Sequence, residues 1–172
     1  MNRKDYKECL HIEIGKGFKA FLKSHFVCSY NAVLYIRKAQ YYYKKGFLRN
    51  LLSKYYVNKL ISKYGIFIRP SYVIGSGLKL PHPNGIIIGT NKIGKNCTIF
   101  QQVTIGSARM GDFKKGNQPI IGDNCIFFAG CKVLGSIGIA DGTVVGANAV
   151  LTKDTEKNCT YVGVPAKKVI KE

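Results

Sequence analysis

None of the six cysteines, at positions 9, 28, 97, 125, 131 and 159, pairs in a Cys-x-x-Cys spacing. That excludes a zinc ribbon or a dithiol redox motif and leaves reduced thiols in a cytoplasmic chain as the expectation. The first residues lack the basic-then-apolar order of a secretory signal. The longest apolar stretch, His25 to Ile36, is broken by Ser29 and Asn31 and is too short to span a bilayer. Acids are scarce too: nine Asp and Glu stand against 27 Lys and Arg, a net charge of +18 over 172 residues. The remainder is ordinary for one compact chain, with 46% apolar residues to fill a core.

What the chain does have is a beat of six. An aliphatic or aromatic residue recurs at Ile121, Phe127, Val133, Ile139, Val145 and Leu151, and upstream at Ile68, Ile74, Leu80 and then, after one extra residue, Ile87, Ile93, Ile99 and Ile105. A strand repeats every two residues and a helix every 3.6, so a strict six describes short flat rungs joined by tight corners. Four places after each large residue comes a second inward slot, mostly small, filled by Cys97, Val103, Cys125, Cys131, Ile137, Thr143 and Ala149. Cysteine there is a space-filler. Gly77, Asn96, Asn124, Gly130, Gly142 and Asn148 occupy the third place, where the corner needs a residue that tolerates a left-handed backbone. Three rungs close a triangle, so the fold class is mainly β: a left-handed parallel β-helix of roughly four coils over residues 65–163. A loop, 107–118, interrupts it, and a basic tail, 164–172, follows.

Residues 1–64 are of another kind. They carry 14 Lys and Arg against three acids, with nine of the eleven tyrosines, and almost no Gly or Pro between Phe18 and Tyr64. Val33, Ile36, Phe47, Leu48, Leu51, Leu52, Tyr55, Leu60 and Ile61 keep helical spacing, which predicts two or three amphipathic helices packed on the blunt start of the solenoid. Their plainest role is to cap the first coil, whose open edge invites aggregation. The basic, tyrosine-rich face also suits peripheral contact with an anionic membrane. Nucleic acid ranks below both, because no recognition module accompanies the charge.

The solenoid holds one histidine, His82, within Leu80-Pro81-His82-Pro83-Asn84-Gly85, where the beat slips. The slip tips the imidazole out of the ladder toward a corner, and imidazole is the simplest proton acceptor near neutral pH.

With His82-Pro83-Asn84-Gly85-Ile86-Ile87-Ile88-Gly89, Gln101-Gln102-Val103-Thr104-Ile105-Gly106, Pro119-Ile120-Ile121-Gly122-Asp123-Asn124 and Tyr161-Val162-Gly163-Val164-Pro165-Ala166-Lys167-Lys168, the chain resembles the hexapeptide-repeat acyltransferases. The matching branch is the serine acetyltransferase-like group, over about residues 64 to 170. The resemblance implies a homotrimer using acetyl-CoA, with His82 as general base and no covalent intermediate. It implies an acyl-donor site along late coils at Ala129, Ala147, Thr152 and Lys153, with Lys167, Lys168 and Lys171 meeting the phosphates. Neither a metal nor a zinc carbonic anhydrase site on the same fold is expected, since that site gathers three histidines.

Departures from the family pattern steer the acceptor. Pro81 stands where the family has Asp before its histidine, Phe67-Ile68-Arg69-Pro70 replaces Asp-Ile-His-Pro, and Asn117-Gln118-Pro119 replaces Arg-His-Pro. The changes at Pro81 and Asn117 remove the partners of a zwitterion, the change at Phe67 removes the carboxylate that the family uses to orient its histidine, and Asn84, Asn117 and Gln118 suit a sugar hydroxyl. The expectation is therefore O-acetylation of a saccharide, a surface-polysaccharide precursor, with Arg109, Lys114 and Lys115 on the loop reaching an anionic sugar or the CoA phosphates. Gln118 or a backbone amide would steady the oxyanion. L-serine O-acetylation is the alternative, and a trimeric scaffold that has lost catalysis is a third reading.

Overall fold

The computed structural model describes residues 1–169; Lys171 lies outside them. Four helices come first, more than the two or three expected: α1 (Arg3–Glu13), α2 (Gly17–Phe26), α3 (Cys28–Tyr42) and α4 (Phe47–Tyr64). Asn2 caps α1 by accepting the Asp5 amide at 2.8 Å. α4 ends at Gly65, whose φ of +61° is open to glycine without strain and turns the chain into the first rung.

From Phe67 the chain winds as a triangular solenoid. One face stacks Phe67–Ile68, Ile87–Ile88, Thr104–Gly106, Lys132–Leu134 and Val150–Leu151, all parallel. The second stacks Val73–Ile74, Lys92–Ile93, Ile120–Ile121 and Gly138–Ile139. The third stacks Thr98–Ile99, Ile126–Phe127, Val144–Val145 and Thr160–Val162, and Lys167–Lys168 closes it antiparallel. The rungs count out to five coils rather than four. Each two-residue rung turns one side chain inward, so the columns Ile99, Phe127, Val145 and Ile105, Val133, Leu151 are buried to within 1% exposure. Each such side chain is worth about 1.5–3 kcal/mol of burial.

The inward slots of the beat hold at every place but one. Ile88 is buried and Ile87 is 43% exposed, the reverse of the expectation. The corner Pro81–Gly85 takes two extra residues instead of one, and the following interval to Ile93 is one short, so the period alone could not place the odd residue. The small inward slots Cys97, Cys125, Cys131, Thr143 and Ala149 are fully buried. The third-place corner residues Gly77, Asn96, Asn124, Gly130, Gly142 and Asn148 all have positive φ.

Arg37 joins the helices to the solenoid. Fully buried on α3, its guanidinium pairs with Glu13 of α1 through two nitrogens and donates to Gln40 Oε1 at 3.0 Å, to Ile74 O at 2.9 Å and to Gly75 O at 2.6 Å. Glu13 in turn accepts the Leu78 amide at 3.0 Å. Packing apolar residues of α3 on the first coil gives area; this pair fixes the seating, because a buried charge tolerates little displacement from its partners. The cap is thus bolted, and Val33 and Ile36 lie in the common core as expected. Phe47, Leu48, Leu51, Leu52 and Tyr55 do not: they are 43% to 80% exposed, so α4 seats with Leu60 and Tyr64 and turns its apolar N-terminal stripe outward. Helical period told which residues share a face, not which face meets the solenoid.

Candidate functional site

Three edges separate the faces, and the edge between the third and first faces carries His82. Lys79 bridges to Thr98 on the next coil and Leu80 is buried, which anchors the chain just before the turn. The turn itself is held from both sides. The Asn84 amide donates to His82 O at 2.8 Å, the Gly85 amide donates to Tyr64 O at 2.9 Å, and the Gln102 amide of the next coil donates to Asn84 O at 2.8 Å. Gly85 has φ +63°, so a side chain there would be strained. The prolines on either side of His82 restrict the segment further. His82 and Asn84 are both exposed, side by side on this rigid corner.

The same edge continues coil by coil. With the Gln102 amide on Asn84 O, the Gly130 amide donates to Gln101 O at 2.9 Å and the Asn148 amide to Ala129 O at 2.9 Å, so Asn84, Gln101, Ala129 and Ala147 rise in one column on the edge that carries His82. Beside it runs an aromatic stripe: the His82 ring lies 6.1 Å from Phe100, and Phe100 stacks on Phe128 at 5.1 Å. Neither phenylalanine was expected at the site. The available signal was an aromatic directly after an inward residue, at Ile99-Phe100 and Phe127-Phe128, in a place that faces outward. The side-chain oxygen of Gln101 is buried without a hydrogen-bond partner among the described residues, a polar atom with capacity to spare.

The protruding loop leaves from a different edge, between the first and second faces. Its tip is a single 3-10 turn, Asp112–Lys115, bounded by Gly111 and Gly116. Arg69 lies over the Phe113 ring at 4.0 Å and so ties the loop to the first coil. Gln118 is buried: its amide nitrogen donates to Phe113 O at 2.8 Å and its oxygen accepts from Asn91 at 2.9 Å. Asn117 is bound to the Asp112 carboxylate at 3.4 Å. Gln118 therefore braces the loop base with both ends of its amide, which corrects its reading as an acceptor or oxyanion ligand, while Asn117 is half-buried and engaged through its nitrogen alone. Arg109, Lys114 and Lys115 are exposed on the loop.

The expected acyl-donor residues divide between the edges. Ala129 and Ala147 share the His82 edge, whereas Thr152 and Lys153 lie past the Val150–Leu151 rung on the loop's edge, all four at or near the surface. Lys167 and Lys168 sit on the closing strand of the third face, where Lys168 pairs with Glu156 at 2.6 Å and its amine is held above the usual lysine range by that bond. One chain does not gather this set into a pocket. A cavity of about 470 Å³ lies elsewhere, between α1, α3 and the first coil, lined by Asp5, Glu8, Cys9, Gln40, Tyr43 and Tyr72 among others.

Cys97 and Cys131, both buried, are poor rivals to His82 for the chemistry. Cys97 is pushed well above the ordinary thiol range by the Cys125 sulfur beside it and by burial, and burial carries Cys131 up to about 12. Buried neutral thiols are poor nucleophiles.

No family model matches the chain. A serine acetyltransferase of Helicobacter pylori is 36% identical over 148 residues, which cover 83% of this chain and 81% of that protein. The serine acetyltransferase of Neisseria gonorrhoeae, solved in complex with serine, superposes with a TM-score of 0.81 at 26% identity, covering 98% of this chain and 70% of that one. A serine acetyltransferase solved in complex with CoA superposes at 0.77 with 23% identity, covering 97% and 71%, a likeness of fold. These relatives overturn the saccharide acceptor. The argument for a sugar leaned on the lost charge partners at Pro81 and Asn117 and on the amides of Asn84, Asn117 and Gln118, and of these amides Gln118 is already engaged at both ends inside the chain.

Proposed function

The chain belongs to the serine acetyltransferase family of hexapeptide-repeat acyltransferases, and on that footing we propose that it moves an acetyl group from acetyl-CoA to the hydroxyl of L-serine. The observation that carries this reading is the extent of the match to the Helicobacter pylori enzyme, which takes in most of both chains. Acetyl-CoA supplies the acetyl group as an activated thioester whose thiolate leaves without much acid assistance. His82 takes the proton of the serine hydroxyl as that oxygen attacks the thioester carbonyl, and no residue of the chain is acylated. Asn84, exposed one turn from His82, offers an amide to the acceptor, and Arg109 offers the loop cation for the serine carboxylate.

The His82 edge fits an extended donor. Ala129 and Ala147 leave the stacked corner amides uncovered, and Gly130 beside Ala129 has φ +73°, where a side chain would be strained. Thr152 and Lys153 complete the donor site from the other edge, and a homotrimer is the arrangement that sets one chain's His82 edge against a neighbour's loop edge. Reduced cysteines suit the cytoplasm, where acetyl-CoA is at hand. Peripheral membrane contact concerns the helical cap and is independent of the transfer step.

Steady-state acetyl-CoA consumption by the purified protein with L-serine tests the reading. Saturable turnover that releases one CoA per O-acetylserine is the expected result; no turnover over solvent hydrolysis would reject it. Replacing Lys167 and Lys168 together by Ala is expected to raise the KM for acetyl-CoA by about three- to tenfold while the KM for serine stays put, because exposed lysines meet phosphates in water and gain only modestly from them. Equal weakening of both substrates would assign these lysines to folding or assembly.

A further inference from the structure

The helical cap exposes more apolar surface than the solenoid core explains. On α2, Phe18, Phe21, Leu22 and Phe26 fall at i, i+3, i+4 and i+8, one stripe, and Phe18 and Phe26 are 73% and 78% exposed. On α4, Phe47, Leu48, Leu51, Leu52 and Tyr55 form a second stripe, with Phe47 80% and Leu48 74% exposed. Both helices pack on α3 and turn these stripes away from it: Ser24 is the buried residue of α2, and buried Ser53 of α4 donates to Ala39 O at 2.7 Å.

Along α2, α3 and α4 the charge is of one sign, whereas α1, whose Tyr6 stacks on Tyr41 at 4.6 Å, carries Asp5, Glu8 and Glu13. From Ile14 through Gly111 the sequence holds no Asp or Glu, while Ile14 to Tyr64 holds eleven Lys and Arg, of which only Arg37 is consumed by the buried pair with Glu13. Several lysines lie over tyrosine rings at the flank of α3 and α4: Lys45 over Tyr41 at 3.8 Å, Lys38 over Tyr56 at 5.1 Å and Lys59 over Tyr55 at 5.5 Å. Tyr41, Tyr42, Tyr56 and Tyr55 themselves run in contact, with centroids 5.1, 6.1 and 5.3 Å apart. Phenol rings with an ammonium above them, beside an aliphatic ridge, match the order of a bilayer boundary: tails, then aromatic belt, then anionic headgroups.

We propose that α2 and α4 dock the protein on an anionic lipid surface, the Phe and Leu stripes entering the headgroup region and the lysines meeting lipid phosphates. A second copy of the chain would bring two lysine-rich faces of α2 and α4 together and desolvate like charges. Nucleic acid would use the lysines and leave the ridge of Phe47, Leu48, Leu51 and Leu52 in water. No helix among the described residues is long and apolar enough to cross a membrane, so the contact is peripheral. The proposal does not rest on the acetyl-transfer reading.

Flotation of the full chain with vesicles tests it. The protein is expected to rise with phosphatidylcholine vesicles that contain phosphatidylglycerol, to stay behind with phosphatidylcholine alone, and to be released by salt. Phe47→Ser with Leu51→Ser, and separately Lys16→Glu with Lys19→Glu, should each cut partitioning by at least about tenfold with helix content by circular dichroism and transfer rate in solution unchanged. Absence of binding to the anionic vesicles, or equal binding by both variants, overturns the proposal. So does a fall in particle mass by light scattering for Phe47→Ser with Leu51→Ser without any loss of vesicle binding, which would make the stripe a contact between chains.

Discussion

Replacing His82 by Ala is expected to lower turnover by about two to four orders of magnitude, the usual worth of a positioned general base, and to leave the fold as it is. The second half of that expectation is as specific as the first. His82 is exposed, its ring donates to and accepts from no described residue, and its one ring neighbour is Phe100 at 6.1 Å, so truncation opens no cavity and orphans no partner. The turn is held by backbone bonds from Asn84, Gly85 and Gln102, none of which needs the imidazole. A surface change of this type moves stability by no more than about 0.5 kcal/mol. Turnover near that of the wild type, with an unchanged melting curve, would remove His82 from the chemistry, whereas loss of turnover with loss of folding would contradict the structure around it.

The second large effect falls on stability. Breaking the Arg37–Glu13 pair from one side should destabilise the protein by about 3–5 kcal/mol, the cost of leaving a buried charge without its partner. The two sides are not equal. Glu13→Ala leaves the guanidinium three acceptors, Gln40, Ile74 O and Gly75 O, while Arg37→Met leaves the carboxylate a single donor, the Leu78 amide. Arg37→Met should therefore lie toward the upper end and Glu13→Ala toward the lower. Combining Arg37→Met with Glu13→Gln removes both charges and should recover most of the loss, since apolar or neutral replacement of a whole buried pair is often close to neutral. Urea unfolding of the four proteins measures it. Single variants within about 1 kcal/mol of the wild type would show that the pair contributes little to seating the helices.

The solenoid was legible because its code is local. An inward side chain every six residues, a small one beside each corner and a left-handed residue at the corner are satisfied within one coil and its neighbours, so Ile99, Cys125 and Asn148 announce their places without reference to distant sequence. His82 was legible as the one imidazole at a break in that code. Where the code is interrupted, the reading slipped: Pro81 to Gly85 absorbs two residues, and Ile87 and Ile88 exchange faces.

Composition could not tell a free amide from an engaged one. Asn117 and Gln118 read as open donors and acceptors for a sugar, yet the loop folds back so that Phe113 and Asn91 take up both ends of Gln118 and Asp112 takes the nitrogen of Asn117. The sequence by itself determined the coil, its corners, the inward cysteines and a lone exposed histidine, all set by steric rules acting over six to eighteen residues. Only the tertiary structure decided which stripe of α4 meets the solenoid and that Arg37 and Glu13 join across 24 positions. It also decided that Ala129 and Ala147 share an edge with His82 while Thr152 and Lys153 do not. These depend on how separate elements seat against each other, where burial of one charge pair or one loop amide outweighs any local preference.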